Sequence, residues 1–109
     1  MKKLTLNDVL QDSLKDPLEA AAYLDVALEE KNIDAFLQAL KTVAEAQGGM
    51  SAVARKTHLN RAGLYRIFSS AGNPSFRNIT RIIDSLGYKI RFERQTVRKR
   101  PTSRTKAAK

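Results

Sequence analysis

An all-α fold is what the sequence predicts: a small bundle of helices closed by one short C-terminal β-strand and followed by a disordered basic tail. Three observations predict it. Apolar residues recur at three- and four-residue spacing through most of the chain. Helix-capping residues stand ahead of those runs, and glycines close two of them. Only residues 88–93 alternate apolar and charged with period two, the pattern of a half-buried strand. The chain has 109 residues, 42% of them hydrophobic and 6% aromatic. That is room for one small core, since compact domains run to about 100–150 residues.

The elements follow in order. Leu6 to Leu14 reads as a short helix, with Thr5 and Asp8 spaced as a capping box. Asp16-Pro17-Leu18-Glu19 opens the second: an N-cap acceptor, proline where its missing N–H costs nothing, and a carboxylate at the third helical position. Its expected core face is Leu18, Ala21, Ala22, Leu24, Ala27 and Leu28, up to about Lys31, with Glu29 and Glu30 outward. Asn32 caps the third helix, whose core face is Ile33, Phe36, Leu37, Leu40, Val43 and Ala44, and Gly48-Gly49 ends it. Ser51 to Thr57 makes a helix of barely two turns with Val53 and Ala54 inward, interrupted by His58-Leu59-Asn60. Asn60 caps the next helix. Leu64, Ile67 and Phe68 give it an apolar face and leave Arg61, Ala62, Tyr65 and Arg66 on the other. Residues 70–74 form a loop. Ser75 caps the last helix, expected to bury Phe76, Ile79, Ile82, Ile83 and Leu86 before Gly87 stops it. The strand at 88–93 has no convincing partner in the chain, so its expected partner is the same strand of another copy. Residues 94–109 contain one Val and no aromatic residue, too little apolar surface to offset the entropy of ordering. Three regions result: an acidic helical leader at 1–32, a helical domain with its strand at 33–93, and the basic tail at 94–109.

Composition excludes several chemistries. There is no Cys and one His, so disulfides, thiolate metal sites and an imidazole zinc site are ruled out. No metal set, phosphate-cradling glycine loop or catalytic constellation appears, so neither an enzyme nor a cofactor is expected. No apolar run approaches the roughly 20 residues that span a bilayer, and MKKLTLNDVLQD turns polar too soon for a signal peptide. A soluble cytoplasmic protein with no membrane partner is expected. The net charge of +9 is unevenly spread. Residues 1–34 carry four Lys against eight Asp/Glu, a net −4; residues 35–93 carry +6 and residues 94–109 carry +7. Basic segments of this kind meet polyanions, and an acidic arm complements a basic protein or is simply a solvated face.

The stretch SAVARKTHLNRAGLYRIF, residues 51–68, is a helix, a tight three-residue break and a second short helix, flanked by amphipathic helices. That is the pattern of a helix-turn-helix, in which the second helix enters the major groove and brings side chains to base edges. Ala54 is small where the two helices cross, and Leu59 fills the turn from below. The spacing Val53-Ala54, His58-Leu59-Asn60, Leu64-Tyr65-Arg66, Asn73-Pro74-Ser75-Phe76 and Leu86-Gly87 resembles the phage-repressor (Xre/Cro) helix-turn-helix class. More narrowly, GGMSAVARKTHLNRAGLYRIFSSAGNPSF, with the upstream DPLEAAAYLDVALEEKNIDAFLQAL, is similar to the antidote proteins of chromosomal toxin–antitoxin addiction modules. The likeness covers residues 8–90.

The resemblance implies a homodimer that binds operator DNA in its own promoter, represses the operon, and pairs with a small basic RelE-like toxin, an mRNA-cutting ribonuclease. Carried over by motif position, Asn60, Arg61, Ala62, Tyr65 and Arg66 are the expected DNA-facing residues, joined by Ser51. Two positions depart from the wider class: His58 where Gly is frequent, and Met50 where a Gln that contacts the DNA backbone is frequent. Arg61 and Arg66 have two readings, guanine edges or phosphate alone. Tyr65 either meets DNA or rests on the protein surface, and Gly63 either permits close approach to DNA or has no role. The basic tail adds nonspecific phosphate contacts or only solubility. Two rival functions remain at this stage: a solitary phage-type regulator without a toxin, and a helical module that binds protein or RNA.

Overall fold

The computed structural model describes residues 4–69 and 73–95. Six α-helices run in order: α1 Leu6–Ser13, α2 Pro17–Glu29, α3 Ile33–Ala46, α4 Gly49–Thr57, α5 Arg61–Phe68 and α6 Phe76–Ser85. The starts are chemical. Thr5 Oγ1 accepts from the Asp8 N–H at 3.0 Å while Asp8 Oδ2 accepts from the Thr5 N–H at 3.1 Å, a complete capping box. Asp16 caps α2 through the Leu18 N–H. Asn32 caps α3 through the N–H groups of Asp34 and Ala35, and Ser75 caps α6 through that of Asn78. At the far end of α6, Gly87 turns left-handed at φ 92°. Its N–H reaches the Asp84 carbonyl and that of Tyr88 the Ile83 carbonyl, the paired bonds of a Schellman stop.

α3 is the central helix, touching α1, α2, α4 and α5, and α4 also touches α5 and α6. Leu40, Val43 and Ala44 of α3 are fully enclosed. One continuous core joins them to Leu14, Ala20 and Leu24 from before α3 and to Val53, Leu64, Ile67, Ile82 and Ile83 after it. Each large side chain so buried contributes about 1.5–3 kcal/mol. The acidic leader therefore lies against the same core as the segment that follows it.

Four expectations need correction. Residues 88–93 form no β-strand, and no strand occurs among the described residues. Beyond the Tyr88 N–H, no backbone hydrogen bond forms in that segment. A ladder needs two strands, and the period-two pattern finds no partner within the chain. α4 begins at Gly49, two residues before Ser51, because Gly48 at φ 117° turns the chain directly from α3 into α4. The buried stripe of α2 is Ala20 and Leu24 backed by Tyr23 and Ala27, leaving Leu18, Ala22 and Leu28 exposed. Ile33 and Phe76, each the first residue of its helix, are also exposed, since they stand a turn short of the packed region. The tail from residue 96 and loop residues 70–72 lie outside the described residues.

Candidate nucleic-acid interface

The turn between α4 and α5 is His58-Leu59-Asn60, and each residue has a mechanical part. His58 caps α4 in the left-handed region at φ 64°, ψ 26°, a conformation that favours glycine. Leu59 is half-buried against the core. Asn60 is the N-cap of α5, its Oδ1 accepting from the Gly63 N–H at 2.6 Å. Thr57, buried at the end of α4, braces the turn from inside: its hydroxyl donates to the Val53 carbonyl at 2.8 Å and accepts from the Leu59 N–H at 3.3 Å. The Arg81 guanidinium of α6 donates to the Thr57 carbonyl, placing a cation on the C-terminal end of α4, where the helix dipole favours one.

α5 is anchored by Leu64, Ile67 and Phe68, all buried, and this fixes what faces outward. Arg61, Ala62, Tyr65 and Arg66 are exposed. Arg61 Nη1 donates to Ser51 Oγ at 3.3 Å, so Ser51 and Arg61 meet across the α4–α5 crossing. Tyr65 is 42% exposed, with Lys41 Nζ 5.7 Å from its ring centroid, a cation over an aromatic face. Asn60 shares the patch, with its carbonyl oxygen occupied by the cap. Met50 is buried in the core, so its side chain is withdrawn from any phosphate in front of α4.

Residues 49–68 carry four Lys/Arg and no Asp/Glu, so the field in front of α5 is positive. Three of the contributing cations, Lys41, Arg55 and Lys56, were not among the sequence candidates. Arg55 and Lys56 are exposed on the last turn of α4. Lys41 stands one turn after Leu37 at the edge of the α3 core face, and only the packing of α3 on α5 reveals that it reaches Tyr65. Gly63 also has a role the sequence left open: a Cβ there would stand 3.1 Å from Asn60 Oδ1, tight against the cap.

A profile of the family described as "probable addiction module antidote protein" matches residues 3–94. The chain is 35% identical over 75 residues to an uncharacterized protein of Haemophilus influenzae, an alignment covering 69% of this chain and 76% of the relative. No solved structure matches. No helix among the described residues is long and apolar enough to cross a membrane. The family match runs from ahead of α1 through α6 and the segment after it, and so takes in both the acidic leader and the basic face of α5. By that extent, the chain belongs to the family of probable addiction module antidote proteins.

Proposed function

We propose that the protein is a DNA-binding antitoxin that represses its own toxin–antitoxin operon and neutralises a small basic RelE-like ribonuclease. In this reading α4 and α5 are a helix-turn-helix and α5 is its recognition helix. The observation that carries it is the division of α5 into a buried face of Leu64, Ile67 and Phe68 and an exposed basic face of Arg61, Ala62, Tyr65 and Arg66. A helix held this way offers three or four side chains to base edges in the major groove. The Arg61–Ser51 bond supports it by holding a guanidinium at the start of α5, the end that approaches bases in such motifs. Family membership supports a toxin partner in general. A homodimer would set two such helices on half-sites about one helical turn apart.

The test is a titration at about 150 mM salt against the protein's own upstream promoter and a scrambled duplex of equal length. A preference of about 10³-fold or more is expected, the usual margin of specific over nonspecific sites. Equal affinity for the two duplexes would overturn the repressor reading and leave charge alone as the cause of binding. Arg61→Ala and Arg66→Ala should each weaken operator binding by about 10-fold or more, since a guanine-reading arginine contributes about 1–3 kcal/mol. Circular dichroism should be unchanged in both.

A further inference from the structure

The outer face of α2 is built oddly for a helix on a water-soluble bundle. Leu18, Ala22 and Val26 are exposed and spaced i, i+4 and i+8, so they form one stripe along the helix. Leu18 is 80% and Val26 59% exposed. Asp25 and Glu29 stand beside that stripe, Glu19 lies at its first turn, and α2 contains no Lys or Arg. Among the described residues none of these three carboxylates forms an ion pair. Leu6 and Val9 of α1, one turn apart, and Ile33 at the start of α3 are exposed as well. Among the described residues, seven of the eleven large exposed hydrophobic residues fall between Leu4 and Ile33. The row of Leu18, Ala22 and Val26 on one helix face is the kind of apolar feature that marks a contact surface, unlike single exposed residues scattered over a protein.

We infer that the Leu18–Ala22–Val26 stripe of α2, with its acidic border, is the docking face for a basic protein, the toxin of the module. The charges choose the occupant. A second copy applied to the same face about a twofold would set carboxylates against carboxylates, which an isologous contact cannot avoid. DNA is excluded by the same sign. A basic protein surface with an apolar centre satisfies both parts: the stripe supplies desolvated contact, and Glu19, Asp25 and Glu29 steer encounter and select the partner. The inference rests on the proposed pairing with a toxin and adds where on this chain it occurs. The face belongs to the leader, whereas the DNA-facing residues belong to α4 and α5, so the two surfaces are carried by different helices.

The experiment uses the full chain and, as probe, the purified product of the reading frame neighbouring this one in its operon. Leu18→Glu/Val26→Glu, both at exposed positions, should weaken binding by about 30-fold or more while operator affinity and helical content stay at wild-type values. Asp25→Lys/Glu29→Lys should slow association and flatten its salt dependence. Affinity within about twofold of wild type in the first variant would overturn the inference. So would a change of oligomeric mass in that variant, which would give the face to a second copy. Failure of the wild-type chain to bind the probe at all would instead remove the proposed toxin pairing on which the inference depends.

Discussion

His58 and Gly63 bracket the turn between α4 and α5, and each is the opposite of what backbone chemistry alone would choose. His58 adopts φ 64°, where an L side chain costs about 1–2 kcal/mol relative to glycine. Part of that is offset by the greater freedom glycine has in the unfolded chain. His58→Gly should therefore stabilise the fold by about 1 kcal/mol, read as a higher midpoint in urea denaturation, without altering the surface of α5. Gly63 runs the other way. In an ordinary helix interior, Gly→Ala gains about 1 kcal/mol. Here the new Cβ would press within 3.1 Å of Asn60 Oδ1, the acceptor of the 2.6 Å cap bond, and losing an N-cap costs about 1 kcal/mol. Gly63→Ala should show a thermal midpoint at or below wild type, and a clear rise would mean that Asn60 shifts without losing its bond.

At the scale of elements, the five helix starts that carry a side-chain cap were legible, while the uncapped start of α4 and the helix faces were less so. Thr5, Asp16, Asn32, Asn60 and Ser75 all cap where a short polar side chain precedes an apolar run, because that signal is local. The face of α2 was not legible, since Leu18, Ala20, Ala21, Ala22, Leu24, Val26 and Leu28 are apolar nearly all round and only contact with α3 selects Ala20 and Leu24. The outward residues of α5 could be named in advance because its three large apolar residues leave a single choice of face. The brace of Thr57 and Arg81, and the cation over Tyr65, join residues far apart in the chain and left no local trace. Gln47 is another such joint: its Nε2 donates to the Leu14 carbonyl at 2.8 Å, and its Oε1 accepts from the Tyr88 hydroxyl at 3.0 Å. It ties the end of α1 and the start of the C-terminal segment to the C-cap of α3. Gln47→Ala removes both bonds, and at about 1 kcal/mol each it should destabilise the chain by about 1–2 kcal/mol. Hydrogen exchange should quicken in α1 before it does in α5, and uniform quickening would mean that Gln47 supports the whole core equally.

For the whole molecule, the proposed repressor reading requires two copies of α5 on neighbouring half-sites, and residues 88–93 are where that requirement can be tested. Phe92 is 97% and Ile90 45% exposed, two residues apart in a segment whose sequence alternates apolar and charged and which makes no ladder of its own. Although it is not a strand within one chain, a segment with this alternation can become one by pairing with a second copy. In an antiparallel pair of two copies about a twofold at Arg91, Ile90 would oppose Phe92 and Lys89 would oppose Glu93, each pairing occurring twice. The one unfavourable cross-strand pair is Arg91 with its own copy at the axis. Each such pair is worth about 0.2–1 kcal/mol, so four favourable pairs outweigh one repulsion. Shifting the axis to residue 90 would instead set Lys89 against Arg91 twice, two repulsions against three favourable pairs, a poorer balance than four against one. Ile90→Asp/Phe92→Asp should then sediment as a monomer at micromolar concentration. Its operator affinity should fall steeply, since one half-site is lost, while affinity for a scrambled duplex changes little because α5 and its cations are untouched. Glu93→Lys, which turns the Lys89 pairing repulsive without removing an apolar contact, should weaken the dimer less and more so at low salt. A variant pair that stays dimeric would place the two-copy contact on another surface and leave 88–93 as an extension of the basic face.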